Sequence, residues 1–301
     1  MANKDLNRFQ GCLLGLAIGD AVGTTVEFMP RGSFSIITDM LGGGPFNLKP
    51  GQWTDDTSMA LCLATSIVEK KGHDPLDQMQ RYMHWCKDGY MSSTGRCFDI
   101  GRTVLEALGN FEITGDPNSG PTRENSAGNG SLMRLAPVPM FYAPDLEKAM
   151  FFSGESSRTT HGATVAVEAC NLFGSILVKA LEGKNKSQIL FDNDVRNITS
   201  QKILDISKGA YISKVIDQIQ GTGYVIESLS AALWSFWNSN SFEEAILKAV
   251  NLGNDADTTA AICGQVAGAY YGRVGIPPSW LDKLFLRDDI VTLANKLAAD
   301  G

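Results

Sequence analysis

With 301 residues, of which 44% are hydrophobic and 20% charged, the chain has the make-up of a globular protein with a sizeable core. Its formal net charge of −7, with no block of lysine or arginine, argues against nucleic acid as a partner, which calls for a basic face. Cysteines at 12, 62, 86, 97, 170 and 263 form no C-x-x-C pair and histidines number only 3, so neither a zinc framework nor a disulfide scaffold is expected.

The N-terminal stretch Met1-Ala2-Asn3-Lys4-Asp5-Leu6 lacks the long apolar region of a signal peptide. No run reaches the ~18 uncharged apolar residues of a membrane span, so a reducing, cytoplasmic setting without a membrane partner is expected. Residues 9–23 are predicted as a helix carrying Gly11, Gly15, Gly19 and Gly23 at every fourth position, hence on one face. Glycine in a helix interior costs about 1 kcal/mol relative to alanine, so the stripe implies close approach of another backbone or a ligand. Glu27 follows, then a loop through Pro30, Gly42-Gly43-Gly44, Pro45, Pro50 and Gly51, with a short strand pattern at 34–38.

Trp53-Thr54-Asp55-Asp56-Thr57 ends that loop, and a helical pattern runs from Thr57 to Lys71 and stops at Gly72. Asp74-Pro75 restarts it as N-cap and first-turn proline, with Gly89 beyond the end. Residues 92–98 read as a loop, and Asp99 precedes another helix through Leu108. Residues 110–131 lack apolar periodicity, and a loop that long in a compact domain is usually functional or disordered. Thr160 is expected to cap a long helix through Leu181, closed by Gly183. Further helices are predicted at 185–192, 199–219 and 224–238. Ser241-Phe242-Glu243-Glu244 reads as a capping box opening a helix that Gly253 closes. After Asn254-Asp255-Ala256-Asp257-Thr258-Thr259 the glycine spacing returns with Gly264, Gly268 and Gly272, and Pro277-Pro278 starts a last pair of helices. With no linker and almost no strand-like alternation, the chain is expected to be all-α, a single compact multi-helix domain over residues 1–301.

Two helix mouths carry the chemistry. Brought together, they would set Asp55, Asp56, Asp255 and Asp257 beside Thr54 and Thr258 with no cationic side chain in either cluster. Four carboxylates at close quarters must either hold protons at raised pKa or share cations. Capping explains one oxygen acceptor at a helix start, not several. An all-oxygen set suits hard cations such as Mg²⁺, Mn²⁺ or Ca²⁺. An EF-hand loop starting at Asp255 would need glycine at Ala260 and glutamate at Val266, and so fails. Asp255-Ala256-Asp257-Thr258-Thr259 also fits the D-x-D-x-T signature of haloacid-dehalogenase-like phosphatases. There the motif follows a buried strand near the chain start; here it follows a predicted helix near the end.

Gly11-Cys12-Leu13-Leu14-Gly15-Leu16-Ala17-Ile18-Gly19-Asp20-Ala21-Val22-Gly23 with Val26-Glu27-Phe28 resembles the opening signature of the ADP-ribosylglycohydrolase family. Thr54-Asp55-Asp56-Thr57, Gly128-Asn129-Gly130-Ser131-Leu132-Met133-Arg134, Thr160-His161 and Gly253-Asn254-Asp255-Ala256-Asp257-Thr258 follow in the family's order. The resemblance spans 9–272 and is nearest to the dinitrogenase reductase-activating glycohydrolase branch, which removes ADP-ribose from arginine. It implies an all-helical fold with a dinuclear Mg²⁺ or Mn²⁺ centre whose ligands match Thr54, Asp55, Asp56, Asp255, Asp257 and Thr258. It further implies an ADP-ribosylated protein as substrate and ADP-ribose as product. The metals would hold the 2″ and 3″ hydroxyls of the distal ribose while water cuts the bond at C1″.

Glu27 and Asp99 match the family's two candidates for proton transfer. Asn129, Gly130 and Ser131 are expected against the pyrophosphate or ribose, Met133 beneath them and His161 beside the ligand. Trp53, Tyr90 and Phe98 are the aromatic residues available to stack on adenine or bracket the cleft. Three further readings share the resemblance: another ADP-ribosyl linkage such as O-linked serine, a non-catalytic ADP-ribose-binding member, and immunity to an ADP-ribosylating toxin. A monomer is expected.

Overall fold

The glycine stripe decides the architecture. In the computed structural model, which describes residues 4–301, the first helix α1 (Leu6–Gly23) starts at Asp5, whose side chain accepts from the Asn7 N–H. A Cβ on Gly11, Gly15 or Gly19 would collide with the carbonyl oxygens of Gly268, Gly264 and Ala260 respectively. One on Gly264 or Gly268 would collide with Gly15 O or Gly11 O. The two stripes therefore interlock backbone to backbone in antiparallel register, and Gly23 lies against Asp257. The mouth of the C-terminal glycine helix is thereby fixed beside the end of α1. Residues 1–3 of the N-terminal stretch lie outside the described residues.

The remaining helices surround this pair: α2 (Asp55–Lys70), α3 (Pro75–Asp88), α4 (Arg102–Thr114), α5 (Pro137–Tyr142), α6 (Leu146–Arg158), α7 (Thr164–Leu181), α8 (Lys186–Phe191), α9 (Gln201–Ser207), α10 (Val225–Trp237), α11 (Phe242–Val250), α12 (Ala256–Tyr271), α13 (Pro278–Lys283) and α14 (Arg287–Asp300). A continuous apolar core links them, and no strand forms among the described residues. Leu6–Val26 and Thr164–Leu181 are long and apolar enough to cross a membrane, yet 89% and 83% of their apolar windows are buried inside the fold. They are core helices here.

Several elements depart from expectation for identifiable reasons. Residues 34–38 form no strand, because Ile37 pairs with a side chain instead. Its N–H donates to Asn251 Oδ1 at 2.8 Å and its carbonyl accepts from Asn251 Nδ2 at 2.9 Å. Helix α2 begins two residues early, at Asp55 rather than Thr57. Helix α4 is entered from Gly101, leaving Asp99 outside it with φ +59°, and it runs to Thr114, shortening the expected 110–131 loop. Helices α5 and α6 lie where no element was predicted. Thr160 does not cap α7, which starts after Ala163, because its hydroxyl is taken up between Arg134 and His161. The predicted 199–219 helix stops at Ser207, before Gly209 at φ +79°. At α11, Ser241 accepts from the Glu244 N–H, but the Glu244 side chain reaches back one residue further, to the Asn240 N–H.

Adding a methyl at the α1–α12 contact should be far costlier than elsewhere. Gly15→Ala and Gly264→Ala are each expected to destabilise by about 3 kcal/mol or more in urea unfolding, since each drives Cβ into backbone. Gly109→Ala, in α4 with open space at Cβ, should instead stabilise by about 0.5–1 kcal/mol. Equal effects at the three positions would refute the interlocked register.

Candidate active site and metal centre

Asp20, one turn before the end of α1, builds the first half of the site. Its Oδ1 accepts from the Thr54 N–H and hydroxyl, both at 2.9 Å, and its Oδ2 from the Thr57 N–H at 3.0 Å and hydroxyl at 2.6 Å. One buried carboxylate thus holds the whole start of α2. The α12 mouth is held from the other side. Phe28 N–H donates to Asn254 O and Asn254 N–H to Met29 O, both at 2.7 Å, while Asp255 N–H donates to Gly221 O at 3.0 Å. Phe28, Asp99 and Asn254 all take left-handed backbone at φ +62°, +59° and +58°. Strained residues of this kind persist only where their surroundings over-determine them, and they cluster at functional sites.

The two mouths meet as expected. Thr54 Oγ1 lies 3.2 Å from both Asp56 Oδ2 and Asp257 Oδ2, and Thr258 Oγ1 lies 3.3 Å from Asp56 Oδ2. Thr54 has one hydroxyl proton for three carboxylate neighbours, and the shorter contact to Asp20 takes it. Its lone pairs then face oxygens of Asp56 and Asp257, an arrangement that requires an added proton or cation. Asp56 Oδ1, Asp257 Oδ1 and Glu27 Oε2 are buried without a hydrogen-bond partner. Such buried acceptors are costly unless something fills their coordination. The donor set is all oxygen, so these residues fit hard divalent cations. Carboxyl oxygens of Asp20, Asp56 and Asp257 approach within 4.8 Å of one another, as do those of Glu27, Asp99 and Asp257. With four donors already on its two oxygens, Asp20 serves as scaffold; Asp56 and Asp257 retain free acceptor capacity.

Charge crowding is severe. Burial, then the charges of Asp99, Asp255, Asp55 and Asp56, push the Glu27 carboxyl up to about 10. Burial, then Asp20 and Asp255, push Asp99 up to about 8 against a hydrogen bond with Glu27. Asp55, Asp56 and Asp257 are driven well above the usual carboxylate range by burial first and by neighbouring carboxylates second. The strongest charges acting on each are those of other carboxylates.

Above this cluster lies a cleft of about 630 Å³. Glu27, Asp55, Asp99, Asn129, Gly130, Met133, His161, Asp255 and Thr258 all line it. Asp56, Asp257 and Thr54 sit beneath, essentially buried. Two expected ligand contacts take other roles. Asn129 commits its amide Nδ2 to Asp255 Oδ2 at 2.7 Å and Ser228 Oγ at 3.1 Å, and its N–H to Gly223 O, so it orients a metal-ligand candidate. Ser131 points away from the cleft, its hydroxyl 2.8 Å from Ser157 Oγ, to which it donates because the Ser157 proton goes to His161 O, and 3.4 Å from Cys170 Sγ. The aromatic candidates do not line the cleft. Trp53 is fully buried, Tyr90 stacks on His84 at 4.6 Å, and Phe98 packs on Phe46 at 5.1 Å. Phe28, 65% exposed, is the aromatic ring that does.

Sequence reasoning missed Asp20 as scaffold, although a lone aspartate in a glycine-striped helix was its signal. It also missed 221–223, whose carbonyls receive Asp255 and Asn129 and whose Gly-Thr-Gly composition marks a close approach.

An all-helical body with a carboxylate-and-threonine cleft formed by two helix mouths defines the class: a helical protein with an acidic site able to bind metal. The sequence profile of ADP-ribosylglycohydrolase matches residues 1–301, and the chain belongs to the ADP-ribosylglycohydrolase family. It is 43% identical to the ADP-ribosylarginine hydrolase Tri1 of Serratia proteamaculans over 98% of this chain and 80% of that protein. The protein of the same name from Pseudomonas putida is 45% identical over 97% and 78%. An ADP-ribosyl-[dinitrogen reductase] glycohydrolase of Rhodospirillum rubrum is 32% identical over 93% and 91%. A solved ADP-ribosylglycohydrolase-related protein complex superposes with a TM-score of 0.85 at 42% identity, covering 98% of both chains. The D-x-D-x-T phosphatase alternative is overturned by the fold, since Asp255 follows a helix and no strand exists among the described residues.

The crowding has a measurable sign. A carboxyl whose folded pKa is raised binds more protons folded than unfolded, so its contribution is complete below the unfolded value near 4 and is lost as pH rises through the folded value. For Asp99 and Glu27 that loss extends to about 8 and about 10. In chelator, Tm should fall steadily from pH 5 to pH 9, and Asp257→Asn should flatten the fall. Mg²⁺ or Mn²⁺ should raise Tm more at pH 8 than at pH 5 and release protons. A chelated Tm independent of pH over this range would contradict the assignment.

Proposed function

We infer that this protein is a metal-dependent hydrolase that removes ADP-ribose from ADP-ribosylated arginine side chains of proteins, acting through residues 1–301 as one domain. The carrying observation is the convergence of Thr54, Asp56, Asp257 and Thr258 oxygens at 3.2–3.3 Å with buried, unpartnered acceptors beside them. Supporting it are the relatives at 43–45% identity, which are ADP-ribosylarginine hydrolases.

Thr54, Asp55, Asp56, Asp255, Asp257 and Thr258 would hold two divalent cations, Mg²⁺ or Mn²⁺, which would supply the positive charge to polarise sugar hydroxyls and water. The chain does the rest. Asn129 holds Asp255 in place. Met133 and Gly130 shape the cleft wall, and His161 faces the ligand. The bond cut joins C1″ to a guanidine nitrogen. Water gives its hydroxyl to C1″, and its proton ends on the departing guanidine. Because their carboxyl oxygens approach within 4.8 Å and crowd one another electrostatically, Glu27 and Asp99 act as a pair that takes up and returns this proton. This reading includes a cytoplasmic setting and a monomeric state.

Arginine- and serine-ADP-ribosylated proteins incubated with enzyme test this directly. Release of ADP-ribose is expected from the arginine substrate, abolished by chelator and restored by Mg²⁺ or Mn²⁺. Asp257→Ala should lower kcat/KM by about a thousandfold or more, and Glu27→Gln and Asp99→Asn should each lower kcat while leaving fold and metal-induced Tm shift intact. Cleavage indifferent to both chelator and Asp257→Ala would remove the metal reading. Preference for the serine linkage would reassign the substrate.

A further inference from the structure

Arg134 is a buried cation with no carboxylate partner among the described residues. It is 0% exposed, and its guanidinium is held by neutral groups: Gly130 O at 3.1 Å, Ser156 O at 3.3 Å, Thr159 Oγ1 at 3.2 Å and Thr160 Oγ1 at 2.7 Å. The Tyr82 ring lies 4.7 Å from its Cζ. Burying a charge this way is expensive, and a methionine would pack the same space, so the guanidinium calls for a role beyond packing.

Its shortest bond shows the role. Thr160 Oγ1 accepts from Arg134 Nη2, and its only other hydrogen-bond partner among the described residues is His161 Nδ1 at 2.9 Å. The hydroxyl proton has nowhere else to go, so Thr160 donates and Nδ1 accepts. The neutral ring therefore carries its proton on Nε2. That atom has no hydrogen-bond partner among the described residues, although His161 is only 2% exposed and lines the cleft. Its face of the ring lies over Gly128 and Gly130, where a Cβ on Gly130 would come within 2.8 Å of Cε1. The His161 backbone is pinned at both ends, its N–H donating to Ser157 O at 2.6 Å and its carbonyl accepting from Ser157 Oγ at 2.8 Å.

We propose that Arg134 and Thr160 are positioning residues that lock His161 in the Nε2–H tautomer, making it a fixed, uncharged donor to an acceptor oxygen of the ADP-ribose unit in the cleft. The proposal rests on the functional reading above for the ligand's identity but not for the tautomer. Burial, then the Arg134 charge, push the imidazolium pKa down to about 3, so the ring stays neutral at working pH and does not compete with Glu27 and Asp99 for protons. Arg134 thus serves twice, orienting Thr160 and keeping His161 neutral. A donor that cannot accept favours phosphate or hydroxyl oxygens over a second N–H.

The chain holds only 3 histidines, so ¹⁵N spectra of the ring nitrogens are tractable, with His161→Gln assigning the signal. In the wild type a protonated Nε2 and an unprotonated Nδ1 are expected from pH 6 to 9. Thr160→Val, isosteric but without the hydroxyl, should release the ring into mixed tautomers and weaken ADP-ribose binding about tenfold by calorimetry, with kcat changing less than KM. Thr160→Ser should restore both, and Arg134→Lys should loosen the tautomer without removing the local charge. A wild-type Nδ1–H tautomer, or Thr160→Val with wild-type tautomer and affinity, overturns the relay. An unchanged tautomer in Arg134→Lys removes Arg134 from it. Failure of wild type to bind ADP-ribose overturns the functional reading instead, and that outcome is separate from the spectra.

Discussion

The backbone-to-backbone contact of α1 with α12 is the constraint on which the site depends. Glycines spaced four apart on both helices leave no side chain between them, so the pair can settle in only one register without collision. Helix packing through side chains tolerates shifts, because rotamers adjust; carbonyl against Cα does not. Fixing Gly23 against Asp257 also fixes where Asp20 lies, and Asp20 in turn fixes the start of α2 through Thr54 and Thr57. Two segments some two hundred residues apart are thereby placed at hydrogen-bonding distance by one rigid seam.

That rigidity is needed because the site opposes its own formation. Buried carboxylates with no basic partner repel one another and lose hydration, and both effects push toward protonation. A flexible frame would relieve the crowding by letting the helix mouths drift apart. The seam prevents this, and so do the crossed hydrogen bonds of Phe28 and Asn254 at the opposite rim. The left-handed backbone at Phe28, Asp99 and Asn254 shows the same tension in the loops. Protons or external cations relieve it, and a site preorganised in this way is able to bind metal without having to rearrange.

The helices and the two acidic mouths were readable in the chain because they rest on local patterns: glycine periodicity, N-terminal carboxylates, a proline after Asp74. Of the residues the family motifs mark, Glu27, Asp55, Asn129, Gly130, Met133, His161, Asp255 and Thr258 line the cleft, whereas Ser131 does not. What escaped was set by tertiary partners. Thr160 looks like a cap in isolation, but Arg134 and His161 compete for its hydroxyl. Asn129 and Ser131 share one motif, yet one turns to Asp255 and the other to Ser157, and no spacing rule separates those directions. Asn251 mimics a strand partner for Ile37, which leaves alternation at 34–38 without a sheet. Helices α5 and α6 were missed where two prolines and a serine-rich run hide the period.

Placement of charge follows one logic across the cleft. Carboxylates gather where α1, α2 and α12 meet, while the buried cation Arg134 lies behind the part of the wall formed by Gly130 and His161, bonded to Gly130 O. An arginine placed among the carboxylates would neutralise them and leave no demand for cations. Set behind the glycine wall instead, it adds positive potential where an anionic part of a ligand would rest, and it reaches the cleft only through Thr160 and a neutral ring. The cleft thus offers negative charge on one part of its wall and positive potential behind another. A molecule carrying both a diol and a diphosphate can span the two.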